Sequence, residues 1–129
     1  MAYTEIRIVA PSSASPGKTV PVTIEVKNID PVWDHIIWTL SSAPLLGATI
    51  INEKELIRSG QTRSYSASFK MPSEEATIRV FTYYPTGPPI EWHLDNHERK
   101  YVSLVEAFRG TISRKELEYN GARSRIPVY

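Results

Sequence analysis

The sequence predicts an all-β fold, an antiparallel β-sandwich of about seven strands followed by a C-terminal β-hairpin. The first observation is the run Thr19–Lys27, where valine or isoleucine at every even position from 20 to 26 alternates with more polar residues. Side chains on a strand point alternately to opposite faces, so this run has one buried and one solvated face. The second is that similar runs recur between turn signals, as in two-sheet sandwiches. The third is that no segment has a sustained helical apolar period, so we expect little or no helix.

Glycine, proline, serine and asparagine clusters divide the first 105 residues into these runs. We expect residues 85–96 to form a long loop. Pro21 falls on the polar face of the second run, and proline cannot donate to a ladder, so we expect it at an unpaired edge site or a bulge. The predicted strands are Tyr3–Ala10, Thr19–Lys27, Val32–Leu40, Thr49–Arg58, Thr62–Met71, Ala76–Tyr84 and Lys100–Val105.

Length and composition fit one domain with an appendage. The 129 residues are 41% hydrophobic, enough for a single core, and no apolar run approaches the ~20 residues that span a bilayer. We expect a sandwich over residues 1–106 and an arm over 107–129. The absence of cysteine excludes disulfides and thiolate chemistry. The net charge of +1 gives no overall field toward nucleic acid or an anionic membrane, so we expect neither nucleic-acid binding nor membrane insertion.

Two segments resemble the immunoglobulin-like domains of the CARDB type, which occur in bacterial and archaeal proteins. They are Ser15–Asn28, with its Ser-Pro-Gly-Lys-Thr opening, and Ser59–Pro72. The resemblance covers roughly residues 3–105 and implies an immunoglobulin-like sandwich. Members of that family serve mainly as spacers, adhesion modules and interaction surfaces. The resemblance therefore implies a non-enzymatic structural or protein-interaction module of a larger assembly, such as a virion or a cell-surface complex, in an archaeal or viral setting.

The N-terminus and the tail bear on location and assembly. No basic start followed by an apolar stretch is visible, so we expect a cytoplasmic or virion location. In the tail, Asn120-Gly121 is the strongest two-residue hairpin signal. A lone hairpin is marginal in water, so we expect the arm to dock on the sandwich or on a neighbouring subunit of a homo-oligomer. The alternative is the truncated start of a second module, because Arg125–Val128 echoes the Ile/Val-Pro-Val pattern of Thr19–Val22.

One cluster has the composition of a metal site. On a strand, His93, Asp95 and His97 would share a face, and two imidazoles with a carboxylate suit zinc or another divalent ion. However, Asp95-Asn96 is also typical of a turn, which would scatter that face, so we expect no metal and no cofactor. Gly-x-Ser-x-Gly, phosphate-cradling glycine loops and His-Glu-x-x-His are all absent, so we predict no enzymatic activity.

The candidate interaction surface follows from the expected neighbourhood of the third, sixth and seventh strands. With Ile36, Trp38 and Leu40 assigned to the core, apolar side chains emerge together on the opposite face of that sheet. Grouped exposed apolar residues mark contact surfaces. The predicted interaction surface consists of Trp33, Ile37, Phe81, Tyr83 and Tyr101.

Three occupants of that surface stay open. The C-terminal arm would cover it in cis, or another protein subunit, of this chain or of another assembly component, would cover it. The alternative function is a carbohydrate-binding module with an aromatic platform. That platform would use Trp33, Tyr83, Tyr84 and Trp92, with His35, His93 and Asp95 as polar neighbours.

Overall fold

A computed structural model describes residues 1–105, and the predicted hairpin arm lies outside the described residues. Every regular element in the described part of the chain is a β-strand, which confirms the predicted all-β class. None of these elements is a helix long and apolar enough to cross a bilayer. The strands are β1 Thr4–Val9, β2 Ser13–Ala14, β3 Thr19–Asn28, β4 His35–Ser42, β5 Thr49–Ile57, β6 Thr62–Lys70, β7 Ala76–Thr86 and β8 Glu91–Leu104.

The strands form two sheets that pack face to face. One has three strands in the order β1-β3-β6, and the other has five in the order β2-β8-β7-β4-β5. All pairings are antiparallel except that of the short β2 with β8. The predicted neighbourhood of β4, β7 and β8 in one sheet is confirmed.

The core lies between the sheets and is seeded by β3, as the alternation predicts. The even-numbered side chains Val20, Val22, Ile24 and Val26 are at most 1% exposed. Fully burying a valine or isoleucine side chain contributes about 1.5–3 kcal/mol, so this row is a main stabilising element. The five-stranded sheet supplies the facing core residues, which include Ile37, Ile51, Ile57, Ala76, Ile78, Val80 and Val102.

Pro21 lies at a site where its missing N–H has no partner to lose. It pairs with Ser68 of β6 on one side, whereas the β1 ladder ends where Val9 pairs with Thr23. The first part of β3, residues 19–22, therefore has no partner strand on the β1 side. The expectation of an unpaired edge site is met within what is otherwise the central strand of its sheet.

The expected face of β4 is wrong by one residue. Ile37 is 0% exposed and lies in the core, whereas Ile36 and Trp38 point outward. Both faces of this run are apolar, so alternation cannot distinguish inside from outside. The next two inward positions after Ile37 are occupied by Thr39 and Ser41, whose small side chains are both fully buried.

The expected loop 85–96 is instead the tip of a long β7–β8 hairpin. Its turn requires a glycine at position 87, because φ is +127° there and a Cβ would clash with the Pro89 carbonyl. Further along β8, Asp95 is the extra residue of a bulge. Its carboxylate accepts hydrogen bonds from the Tyr3 and Thr4 amides, at 2.8 and 3.0 Å, and from the Thr4 hydroxyl. The bulge thereby ties β8 to the start of β1.

Candidate functional site on the outer face of the five-stranded sheet

The outer face is the side of the five-stranded sheet that points away from the core. A solvated sheet face normally carries polar residues, but much of this one is aromatic or aliphatic. Ile36, Leu56 and Leu94 are 44–52% exposed. The outward positions of the four long strands include Asn52, Lys54 and Leu56 on β5, Ile36, Trp38 and Leu40 on β4, Thr77, Arg79, Phe81 and Tyr83 on β7, and Trp92, Leu94, His97, Arg99 and Tyr101 on β8.

Three rings form a cluster at the centre of this face. The Trp38 ring centroid lies 5.0 Å from that of Tyr83 and 5.5 Å from that of Trp92, the latter edge to face. These are the separations at which aromatic pairs attract. Strand pairing produces the cluster. Trp38 on β4 is directly opposite Tyr83 on β7, and Trp92 on β8 is diagonal to Tyr83, two residues from its direct partner Leu94.

Polar groups of β5 border the ring cluster. The Lys54 ammonium lies 4.7 Å from the Trp38 ring centroid and 5.4 Å from that of Trp92, within cation–π range. The Trp38 indole N–H donates to Asn52 Oδ1 at 2.7 Å. These contacts fix the orientation of the Trp38 indole on the outer face.

A cleft of about 320 Å³ adjoins the cluster, between the sheet and the loop that joins β4 to β5. Leu40, Phe81 and Tyr83 line its sheet side, and Leu46 lines its loop side. Ser42 also lines the cleft and is only 6% exposed, and its hydroxyl has no hydrogen-bond partner among the described residues. Because the hydroxyl oxygen itself is buried from solvent, it offers no accessible group to a ligand in the cleft.

The structure divides the predicted interaction surface. Phe81, Tyr83 and Tyr101 occupy outward positions on β7 and β8. Ile37 is wrongly placed in the prediction, because it belongs to the core. Trp33 is 66% exposed but lies in the loop before β4, outside the strand positions of the outer face. Whether these residues contact a partner stays a prediction.

Sequence reasoning assigned Trp38 to the core and gave no role to Lys54, Ser42 or Arg79. Once β4 is shifted by one residue, Trp38 becomes the centre of the site. Lys54 then faces it as its cross-strand partner. No local signal in the sequence identifies Ser42, because its burial depends on the loop that folds over it.

The proposed metal ligands do not converge. His93 pairs with Tyr84, whereas His97 pairs with Phe81 on the outer face. A regular strand would place His93, Asp95 and His97 on one face, but the bulge at Asp95 inserts one residue and reverses the alternation. The face is thus scattered by a bulge, where the sequence suggested a turn. Residues 1–105 contain no group of three or more His, Cys, Asp or Glu side chains placed to hold a metal ion.

Other residues of the predicted sugar platform lie at one end of the sandwich. His35 stacks on Tyr3 at a ring-centroid distance of 4.1 Å, Tyr3 meets Tyr84 edge to face at 5.3 Å, and Tyr84 stacks on His93 at 5.4 Å. His93 Nε2 is also 2.7 Å from the Thr86 hydroxyl. These rings contact one another across the end of the core, so Tyr84 and His93 are separated from the outer cluster of Tyr83 and Trp92.

An acidic loop positions the start of β4. Asp30 Oδ2 lies 2.9 Å from His35 Nε2, and Asp30 Oδ1 accepts hydrogen bonds from the amides of Val32 and Trp33 at 2.9 and 3.1 Å. The hydrogen bond with His35, followed by those with the amides, lowers the pKa of the Asp30 carboxyl below its usual value of 3.8. The ionised carboxylate therefore stabilises this loop.

We expect this carboxylate to contribute to acid sensitivity. Because its pKa is lower in the folded state, its contribution is present above the unfolded pKa and is lost as the pH falls through the folded pKa, below about 4. The melting temperature of Asp30→Asn should therefore fall less steeply than that of the wild type below this pH. Thermal melts of both proteins from neutral to acidic pH measure the difference. Parallel curves would contradict the prediction.

Comparisons with known proteins place the fold. Neither a protein-family model nor a curated protein matches the sequence. The CARDB domain of the PF1109 protein from Pyrococcus furiosus, crystallised in complex with di-metal ions, aligns with a TM-score of 0.56. That match has 14% identity and covers 79% of this chain and 87% of that one. This chain has a CARDB-type immunoglobulin-like fold.

Two further structures agree with that fold. The solution structure of the same PF1109 domain matches with a TM-score of 0.58 and 15% identity, over 80% of this chain and 94% of that one. The C-terminal domain of wzt matches with a TM-score of 0.53 and 12% identity, over 90% of this chain and 83% of that one. The resemblance drawn from the sequence is confirmed for the fold.

Proposed function

We propose that this β-sandwich is a non-enzymatic interaction module of a larger assembly, and that its outer face contacts a protein partner. The observation that carries the proposal is the grouping of Trp38, Tyr83 and Trp92 with the exposed aliphatic side chains of Ile36 and Leu94. Tryptophan and tyrosine side chains are enriched at the energetic centres of protein interfaces. The partner is a second copy of this chain or another component of the assembly, such as a virion or a cell-surface complex.

The experiment removes the centre of the cluster. Trp38→Ala combined with Tyr83→Ala should reduce the mass of a self-associated species, because hot-spot truncations commonly cost 2 kcal/mol or more, which is roughly 30-fold in affinity. Size-exclusion chromatography with light scattering on the full chain measures this mass. Trp33→Ala is the matched control, since it removes an exposed indole outside the outer face. A wild-type chain that stays monomeric at every concentration would reject self-association.

A second candidate function is carbohydrate binding, and one observation favours it. The cleft beside the rings joins apolar walls, formed by Leu40, Leu46 and Phe81, to the polar residues Ser42 and Thr49. Small-ligand sites typically combine mostly apolar walls with a few polar groups. If this function holds, the Trp38→Ala, Tyr83→Ala variant should lose retention on glycan-bearing gels while its mass stays unchanged.

A further inference from the structure

The charges on the outer face all have one sign. Its outward positions on β4, β5, β7 and β8 carry Lys54, Arg79 and Arg99 and no aspartate or glutamate. The carboxylates of the same strands are elsewhere. Glu53 and Glu55 occupy the alternate positions of β5, and the alternate positions of β8 include Glu91, Glu98 and the bulge residue Asp95.

Two of the cations are directly opposed. Arg79 and Arg99 are cross-strand partners on β7 and β8, and neither forms an ion pair with a residue of the described chain. Like charges directly opposite one another destabilise a sheet. The Arg99 guanidinium lies 5.8 Å from the Tyr101 ring centroid, within cation–π range. This contact does not supply a negatively charged partner for the guanidinium. An anion between the two guanidinium groups would relieve the repulsion and accept charge-assisted hydrogen bonds from both.

The arginine pair adjoins the cleft. Arg79 is the cross-strand partner of Ser42, one of the residues that line the cleft. Phe81 and Tyr83 follow Arg79 at the next two outward positions of β7, so the cation and the rings lie along about 13 Å of strand. Acidic sugars combine an apolar ring face with an anionic group, and both have a counterpart on this surface.

We propose that the outer face binds an acidic glycan, with its anionic group between Arg79 and Arg99 and a sugar ring against Phe81 and Tyr83. This inference rests on the second candidate function, carbohydrate binding. The face is less suited to an extended peptide, because peptides that add to a sheet use the free backbone groups of an edge strand. The backbone groups of β7 are already paired with β4 and β8.

The test compares ligands that differ only in charge. Polygalacturonate is set against its fully methyl-esterified form, and dextran sulfate against dextran, by affinity electrophoresis of the full chain. We expect retention by at least one acidic polymer and not by its neutral counterpart. Arg79→Ala combined with Arg99→Ala should weaken that retention about tenfold or more. The double variant should melt at or above the wild-type temperature, because it removes a like-charge pair.

The matched control removes the same charge from the opposite sheet, by Lys27→Ala combined with Lys70→Ala, whose side chains are both exposed. Equal weakening by this control would overturn the proposal, because binding would then follow net charge. Equal retention by neutral and acidic polymers would overturn the acidic preference but leave carbohydrate binding standing. Retention by none of the polymers would reject both the acidic-glycan proposal and the carbohydrate-binding function on which it rests. Tighter binding of oligothymidine than of any glycan would overturn the proposal in favour of single-stranded nucleic acid.

Discussion

Ile37→Lys should abolish the cooperative fold, and the neighbouring substitution Ile36→Lys should leave it intact. Ile37 is 0% exposed between the sheets, whereas Ile36 is 48% exposed on the outer face. An ammonium group at position 37 would be buried between the sheets, and the carboxylate of its cross-strand partner Glu55 is already engaged by the Tyr65 hydroxyl and by Arg63. Removing a charge from water without a partner costs several kcal/mol. Small domains are stable by only about 5–15 kcal/mol, so this single change should unfold most of the protein.

Circular dichroism and thermal melts of the two variants provide the comparison. The lysine at position 36 adds a charge to a solvated site and should change the free energy of unfolding by less than about 1 kcal/mol. The two substitutions introduce the same side chain one residue apart, so propensity and net charge are matched. Equal melting temperatures, or greater loss from Ile36→Lys, would mean that β4 is inserted with the opposite face toward the core.

The sequence predicts an element well when its two faces differ in polarity. In β3 every even position from 20 to 26 is aliphatic and the odd positions are more polar, so only one orientation buries the apolar row. Pro21 added independent information, since its lack of an N–H restricts it to sites without a ladder partner. Both predictions were confirmed because each depends on local chemistry.

The orientation of β4 could not be predicted, because the outer face is itself apolar. Ile36, Trp38 and Leu40 are collectively more hydrophobic than the inward set of Ile37, Thr39 and Ser41, and hydrophobicity alone selects the wrong face. Of the two inward hydroxyls, that of Ser41 donates to the Arg79 carbonyl at 2.9 Å, whereas that of Thr39 has no partner among the described residues. The apolar outer face thus reverses the pattern on which the prediction relied.

The bulge in β8 had a similar consequence for the site. One extra residue at Asp95 reverses the faces of everything before it relative to everything after it. The Asp95-Asn96 pair is typical of a turn, but in the structure it lies within β8. The Asp95 carboxylate accepts hydrogen bonds from the backbone at the start of β1. The juxtaposition of Ser42 with Arg79, and of Arg79 with Arg99, depends on registers that no pattern within a single strand specifies.

The second large effect should come from Asn28→Asp, a change of one atom that removes two hydrogen-bond donors. Asn28 is 0% exposed, and its amide nitrogen donates to the carbonyls of Trp33 and Ile57, both at 2.9 Å. Its Oδ1 accepts from the Asp30 amide at 2.9 Å. An aspartate keeps only the last of these bonds and directs a charged oxygen at two carbonyl groups. We expect a loss of about 3 kcal/mol or more from the free energy of unfolding.

Asn52→Asp is the matched control, because Asn52 is exposed and accepts from the Trp38 indole N–H, which a carboxylate would also accept. Urea denaturation of both variants should therefore separate them clearly. The pH dependence gives a further check, since a buried aspartate facing two carbonyls has its pKa raised. Protonation restores one donor, so the deficit of Asn28→Asp relative to the wild type should shrink as the pH falls. A loss of unfolding free energy that is small at neutral pH, or that grows on acidification, would contradict the prediction. Asn28 would then not be the residue that ties the loop before β4, through Trp33, to Ile57 of β5.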